Sequence, residues 1–179
     1  MKTQKLTLGA VCVAIVFICT YIIQIKLPLP GQGGLVHAGN IAMFSICLIL
    51  GKWYGATAGA FGMAIFDLIS GWAIWAPGTF VIRFVSGYVI GHIAHINGEN
   101  GKNKLLNLIG LSLGSVIIII GYYLYEVMLY RNWFVPLSSI PGDITQCVLG
   151  AIVAMILSQK NVGHVQYHAN TMHDNIRKI

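Results

Sequence analysis

Long apolar stretches with few charges are the feature that most restricts the fold of this chain. Charged residues make up 9% of the 179 residues and the mean hydropathy is +0.75, whereas ordinary soluble domains carry roughly 25% charged residues. A helix needs about 20 apolar residues to cross a bilayer, so the chain can hold about six crossings. The composition therefore predicts an all-α integral membrane bundle of six transmembrane helices, with no separate soluble domain.

Polar and Gly/Pro clusters divide the apolar sequence into six predicted spans. The spans are 6–25, 36–51, 54–73, 79–96, 105–128 and 138–158. Residues 1–158 thus form the predicted transmembrane domain, and residues 159–179 form a polar tail. The first run follows two lysines, as a signal peptide would, but it continues through Ile25 without a small-residue cleavage site. It is therefore interpreted as the first span.

Lysine and arginine residues between the spans are concentrated on one side. That side carries Lys2, Lys5, Lys52, Lys102, Lys104, Lys160, Arg177 and Lys178, and the other carries Lys26 and Arg131. The positive-inside rule then predicts that both termini are cytoplasmic, in a multi-pass protein of the bacterial cell membrane. Since the net charge of +6 arises at helix ends and not in a patch, no nucleic-acid partner is expected.

Four ionisable residues lie inside the predicted spans, namely Asp67, Arg83, Glu126 and Asp143. Each such residue costs about 2.5–3.5 kcal/mol at the bilayer centre, so a compensating interaction is required. The predicted topology places all four toward the outer face. In one interpretation Asp67 and Arg83 form a buried ion pair while the other two reach the interface. In the other, which we favour, the four residues line a ligand site for a compound with hydrogen-bond donors or positive charge.

Helical spacing and depth add further polar and aromatic residues to this layer. The predicted substrate-binding residues are His37, Asn40, Asp67, Trp72, Trp75, Arg83, Tyr122, Tyr123, Glu126, Asp143 and Gln146. The Gly31 to Gly34 loop and the Trp72 to Gly78 loop are predicted to close over the ligand.

Neither a metal site nor a cofactor is expected. The thiols lie in apolar runs without C-x-x-C spacing, and the tail histidines have no companion ligand except Asp174. These residues are Cys12, Cys19, Cys47 and Cys147, and His164, His168 and His173. On the first helix, Gly9, Ala10 and Ala14 allow close approach of another helix, which could belong to the same bundle or to a partner protein.

Several motifs together resemble the substrate-binding S components of energy-coupling factor (ECF) vitamin transporters. They are GGLVHAGN (Gly33 to Asn40), the stretch from GKWYG to VIRF (Gly51 to Phe84) and the Ala10-x-x-x-Ala14 face. The resemblance covers roughly residues 5 to 158. The chain departs from the family pattern at Asn40, where an acidic residue is more usual, and at Arg83, where lysine is common.

The resemblance implies a high-affinity vitamin-binding subunit in the lipid bilayer, which docks through its first helix onto an ECF coupling transmembrane subunit driven by two ATPase subunits. Because the chain has no Walker A motif, ATP hydrolysis would belong to the partners and the chain itself would not be an enzyme. An intramembrane enzyme would need a nucleophile and base, and a stand-alone secondary transporter would need polar residues through the full membrane depth. Both remain alternatives.

The motifs resemble those of riboflavin, pyridoxine or hydroxymethylpyrimidine S components. A carboxylate such as Glu126 or Asp67 can form two hydrogen bonds with an aminopyrimidine edge, while a tryptophan or tyrosine stacks on the ring. Our hypothesis, which rests on this resemblance, is therefore a hydroxymethylpyrimidine or pyridoxine-like ligand, with riboflavin as the alternative.

Overall fold

The computed structural model describes the backbone of residues 2–26 and 35–177, which form six helices and one two-stranded sheet. The elements are α1 (Lys2–Ile22), β1 (Gln24–Lys26), β2 (Leu35–His37), α2 (Gly39–Leu50), α3 (Lys52–Ile69), α4 (Ala76–Ala94), α5 (Lys104–Tyr130) and α6 (Ile140–Arg177). Short 3₁₀ turns span Ile96–Gly98 and Val135–Ser138. The predicted six-helix all-α bundle is confirmed.

The helices differ in length and in burial. Three segments are long and apolar enough to cross a membrane by themselves: Thr3–Ile22, Lys104–Tyr130 and Val135–Lys160. Helix α2 has only 12 residues, which rise about 18 Å, less than the roughly 30 Å of a hydrocarbon core. Its Met43, Phe44 and Leu48 side chains are completely buried. Helix α2 is therefore an internal helix, and longer helices surround it.

An antiparallel hairpin replaces helix at the ends of the first two predicted spans. Gln24 pairs with His37 and Ile25 with Val36, and the Ala38 N–H donates to the Ile23 carbonyl at 2.9 Å. The prediction of helix at 23–25 and 36–38 is therefore wrong. The two strands satisfy each other's backbone polar groups, which hydropathy does not detect. The Gly31 to Gly34 loop, with its predicted closing role, lies outside the described residues.

The polar tail begins inside a helix. Helix α6 continues to Arg177, beyond the predicted end of the sixth span at residue 158. The cytoplasmic placement of the tail and of the termini stays a prediction.

The helix packing defines two ends of the bundle. Helix α3 packs against α1, α2 and α4, α4 also packs against α5, and α6 packs against α2 and α5. The start of α1, the α2–α3 turn and the α4–α5 connection lie at the predicted cytoplasmic end. The hairpin and the α3–α4 and α5–α6 connections lie at the predicted outer end, where Tyr125 donates to the Ile74 carbonyl at 2.7 Å and holds the α3–α4 turn against α5.

Glycines on α4 bring it into backbone contact with α3. A Cβ added at Gly91 would lie 2.5 Å from the Lys52 Cα, whereas a Cβ at Gly9 would have its nearest neighbour at 3.9 Å. We expect Gly91→Ala to lower the free energy of unfolding by about 1–3 kcal/mol, since the two backbones must separate. Gly9→Ala is the matched control and should leave it unchanged. Thermal unfolding in detergent, followed by tryptophan fluorescence, measures both variants, and equal midpoints would contradict this packing.

Candidate functional site

Arg83 lies at the centre of a buried polar network. It is 1% exposed, its Nη1 donates to Asn40 Oδ1 at 2.6 Å, and its Nε donates to the Tyr122 hydroxyl at 3.2 Å. The guanidinium also lies 5.1 Å from the centroid of the Tyr122 ring. An amide oxygen and a phenol therefore hold this cation, and it joins α4 to α2 and α5. These contacts differ from the direct Asp67–Arg83 ion pair that the sequence left open.

A chain of hydroxyl groups connects Arg83 to Asp67. The Tyr122 hydroxyl donates to Thr79 Oγ1 at 3.1 Å, and the Thr79 side chain in turn interacts with the Asp67 carboxylate. Asp67 is 7% exposed, and its Oδ2 has no hydrogen-bond partner among the described residues. The network thus fixes one side of this carboxylate and leaves one acceptor oxygen for another molecule.

Two more carboxyl groups lie nearby on α5 and α6. Ser139 donates to Glu126 Oε2 at 2.9 Å, and the Gln146 Nε2 donates to Asp143 Oδ1 at 3.0 Å. Asp143 interacts electrostatically with both Arg83 and Glu126. The Gln146 Oε1 is buried and lacks a partner within the described part of the chain. The structure therefore brings together charges from four helices at one end, as the sequence predicts.

His37 joins the site from β2, outside the membrane-spanning helices. Its Nδ1 accepts a hydrogen bond from the Gly39 N–H at 3.2 Å, and its ring centroid lies 6.3 Å from that of Phe66. Burial, followed by the positive charge of Arg83, lowers the pKa of His37 to about 3. The imidazole is therefore neutral at physiological pH, and its Nε2 carries the proton and can donate.

The two predicted tryptophans differ in their surroundings. Trp75 is 7% exposed and packs against Tyr125 and Tyr130, with ring centroids 6.1 and 6.2 Å away, and its indole N–H is buried without a hydrogen-bond partner in the described residues. Trp72 is half-buried, and its backbone N–H donates to the Asp67 carbonyl at 3.0 Å. Both belong to the connection between Asp67 and α4. The predicted closure of the Trp72 to Gly78 loop over a ligand stays a prediction.

Tyr123 lies apart from the network around Arg83. Its hydroxyl donates to the Trp133 carbonyl at 3.0 Å in the α5–α6 connection. Because successive helical residues point about 100° apart, Tyr122 and Tyr123 cannot both face the same buried arginine. Of the two predicted tyrosines, only Tyr122 contacts it.

Two residues of the network were missing from the predicted site. Thr79 precedes Arg83 by one helical turn, so its spacing on the same face was a usable signal. Cys147 was expected to be an ordinary buried thiol, but the Asn40 Nδ2 lies 3.6 Å from its Sγ. No sequence pattern indicated this contact, because Asn40 and Cys147 are 107 residues apart in the chain.

The small residues of α1 face away from the bundle at its other end. Ala10 and Ala14 are exposed, and Gly9 is half-buried. A groove of about 520 Å³ runs between α1 and α3 there, lined by Gly9, Ala10, Val13, Tyr54, Thr57 and others. The predicted docking residues thus border an open, mostly apolar surface.

Comparison with known proteins identifies the family. The model of the family described as "ECF-type riboflavin transporter, S component" matches residues 1–162. The chain belongs to this family of S components. The resemblance seen in the sequence motifs is therefore confirmed.

Two relatives extend the comparison. The S component is 28% identical over 129 residues to an "Uncharacterized protein in gap 3'region" of Pyrococcus woesei, covering 72% of this chain and 83% of the relative. It is 24% identical over 156 residues to the "Thiamine precursor transporter HmpT" of Lactococcus lactis subsp. cremoris (strain MG1363), covering 87% and 86%.

A solved structure shows the same fold. That structure, described as "Structure and mechanism of the S component of a bacterial ECF transporter", matches with a TM-score of 0.67 at 15% identity and covers 92% of this chain and 99% of that one. As an S component, the chain is a multi-pass membrane transport subunit and not an enzyme, as predicted. Membership also implies a vitamin substrate and ECF partner subunits.

Proposed function

We propose that this S component binds hydroxymethylpyrimidine, or a similar small pyrimidine or pyridine compound, at the network around Arg83. The observation that carries the proposal is a set of buried polar atoms that have no hydrogen-bond partner within the described part of the chain: Asp67 Oδ2, Gln146 Oε1 and the Trp75 indole N–H. An unsatisfied buried polar atom costs about 1–3 kcal/mol. A ligand that carries both donors and an acceptor would offset that cost.

The chemistry of an aminopyrimidine suits these atoms. Its exocyclic amine can donate to the Asp67 carboxylate, its hydroxymethyl group can donate to Gln146, and its ring nitrogen can accept from an indole or imidazole N–H. The three acids Asp67, Glu126 and Asp143 outnumber Arg83 inside the bundle at this end, which favours a ligand that supplies donors. The relative named as a thiamine precursor transporter supports this class of compound.

We assign the substrate-binding role to the predicted residues in two groups. Asn40, Arg83 and Tyr122 hold the network in place, with Thr79 added from the structure. The residues proposed to face the ligand are His37, Asp67, Trp72, Trp75, Glu126, Asp143 and Gln146. Tyr123, which bonds to the Trp133 carbonyl, is proposed to act only at the rim.

Riboflavin is the second candidate, because the matching family model is described by that vitamin. Its imide N–H and ribityl hydroxyls could also donate to the unpaired acceptors. Isothermal titration of the purified protein with hydroxymethylpyrimidine, pyridoxine and riboflavin separates the candidates. Tight binding of riboflavin with no heat from the two smaller compounds would overturn the preferred assignment.

For transport, we propose that α1 docks onto an ECF coupling transmembrane subunit that two ATPase subunits drive. The exposed Ala10 and Ala14 and the adjoining groove support this arrangement, since small residues let a second helix approach closely. The ligand is captured from outside and released after the partners move the S component.

Asp67→Asn tests the proposed site. The amide keeps an oxygen for the Thr79 hydroxyl but removes the charge that would meet the amine of the ligand. A charge-assisted hydrogen bond contributes about 1.5–3 kcal/mol, so we expect affinity for hydroxymethylpyrimidine to fall about tenfold or more in the titration. Glu99→Gln removes the charge of the acid in the α4–α5 connection and should leave affinity unchanged. Equal affinities of Asp67→Asn and the unmodified protein would exclude Asp67 as a ligand contact.

A further inference from the structure

A cavity that contains one lysine and two histidines lies at the predicted cytoplasmic end, remote from the network around Arg83. It has a volume of about 550 Å³ between the α2–α3 turn and the end of α4, and its walls include Gly51, Lys52, Trp53, His92 and His95. No carboxylate is among the described residues that line it. The vitamin site does not involve any of these residues.

Lys52 gives this cavity its charge. Its ammonium lies 3.3 Å from His92 Nδ1 and 5.1 Å from the centroid of the Tyr88 ring. An ammonium group can only donate, so His92 Nδ1 is the acceptor and its Nε2 carries the proton as a further donor. The His92 ring also stacks on Tyr88, with centroids 5.9 Å apart. The cavity therefore presents a cation and an N–H donor that both pack against the Tyr88 ring.

The turn between α2 and α3 forms one wall of the cavity. Gly51 has a φ of +87°, which residues with side chains rarely adopt, and the His95 ring lies beside it, 3.5 Å from where a Cβ would be. No side chain caps the start of α3 at Lys52, so the partial positive charge of that helix end lies beside the ammonium, while the C-terminal ends of α2 and α4 also border the cavity.

The neighbouring tryptophan indicates the depth of the cavity in the membrane. Trp53 is 60% exposed, and its ring contacts Tyr88 with centroids 5.2 Å apart. Exposed tryptophans beside lysines on membrane proteins lie at the level of the lipid headgroups. The phosphate groups of lipids are therefore the anions nearest to Lys52 on this side.

We propose that this cavity binds the phosphate group of an anionic phospholipid. Lys52 makes the charged contact, and the His92 Nε2–H provides the second hydrogen bond. The exposed Trp53 ring packs against the glycerol and upper acyl region of the same lipid.

Native mass spectrometry of the protein in mixed micelles of phosphatidylglycerol and phosphatidylcholine tests the proposal. We expect preferential retention of phosphatidylglycerol, and Lys52→Gln should reduce that retention about fivefold, as expected for one lysine near an anionic surface. His92→Phe keeps the ring on Tyr88, removes the donor and should give a smaller loss. Lys102→Gln is the matched control, since Lys102 is exposed at the same end but does not line the cavity.

The possible outcomes separate a lipid from a soluble anion. Added inorganic phosphate should displace little phosphatidylglycerol if the whole lipid is bound. Binding of inorganic phosphate without retained phosphatidylglycerol would overturn the lipid assignment. Equal losses in Lys52→Gln and Lys102→Gln would reduce the effect to general surface charge and also overturn the proposal.

Discussion

Arg83→Met should weaken the binding of hydroxymethylpyrimidine by about 100-fold, one of the two largest effects we expect. The substitution removes hydrogen bonds from a charged donor to Asn40 and Tyr122, each contributing about 1.5–3 kcal/mol. Without them Tyr122 loses its fixed orientation, and the hydroxyl chain no longer holds Asp67. The ligand must then bring these groups into position itself, which lowers its affinity. Isothermal titration measures the change.

Two further variants make the role of Arg83 specific. Arg83→Lys keeps the charge but cannot reproduce the two directed hydrogen bonds of a planar guanidinium, so we expect an intermediate loss of about tenfold. Arg131→Met removes an exposed arginine on the connection that follows α5 and should leave affinity unchanged. If Arg83→Lys bound the ligand as tightly as the unmodified protein, the positive charge alone would be sufficient for binding. The two directed hydrogen bonds of Arg83 would then not be required.

The second large effect concerns the docking surface on α1. The double substitution Ala10→Trp with Ala14→Trp should abolish ATP-dependent uptake while leaving vitamin binding intact. Two indoles on this exposed face would prevent the close approach of a partner helix. The measurement is uptake of radiolabelled hydroxymethylpyrimidine by liposomes containing the S component and its partner subunits, together with titration of the isolated S component.

Ile15→Trp is the matched control for the docking variant. Ile15 is 44% exposed on α1, but it lies about 140° around the helix from Ala10 and outside the groove. It should support normal uptake. If the double variant still transported, or if uptake proceeded without ATPase subunits, the proposed docking through α1 would be wrong.

The number of helices followed from the sequence because apolar runs of membrane length leave few alternatives. The hairpin did not follow, since three-residue strands such as Gln24–Lys26 are stabilised by backbone hydrogen bonds that carry no compositional signal. The short length of α2 was not predictable from the sequence for the same reason. Its apolar run merges with Leu35 and Val36, which are in β2.

The clustering of charges was predictable, but the contacts among them were not. Helical spacing places Asp67, Arg83 and Asp143 at one level, yet it does not tell which neighbour a side chain meets across an interface. Arg83 bonds to Asn40 and Tyr122, and this choice depends on how α2, α4 and α5 cross. Membrane depth alone does not predict which side chains meet. Tyr122 and Tyr123 lie at the same depth but face in different directions.

The hairpin connects α1 directly to the strand that carries His37. Helix α1 is a continuous helix of 21 residues, about 30 Å long, with the proposed docking residues about midway along it and β1 just beyond its end. Strand β1 follows after a single residue, and it pairs with β2, the strand that carries His37. Thr20 near the far tip also lies against Gly39 at the start of α2. We therefore expect a tilt imposed on α1 by a partner to displace β2 and His37 at the proposed vitamin site, since a single residue separates α1 from β1.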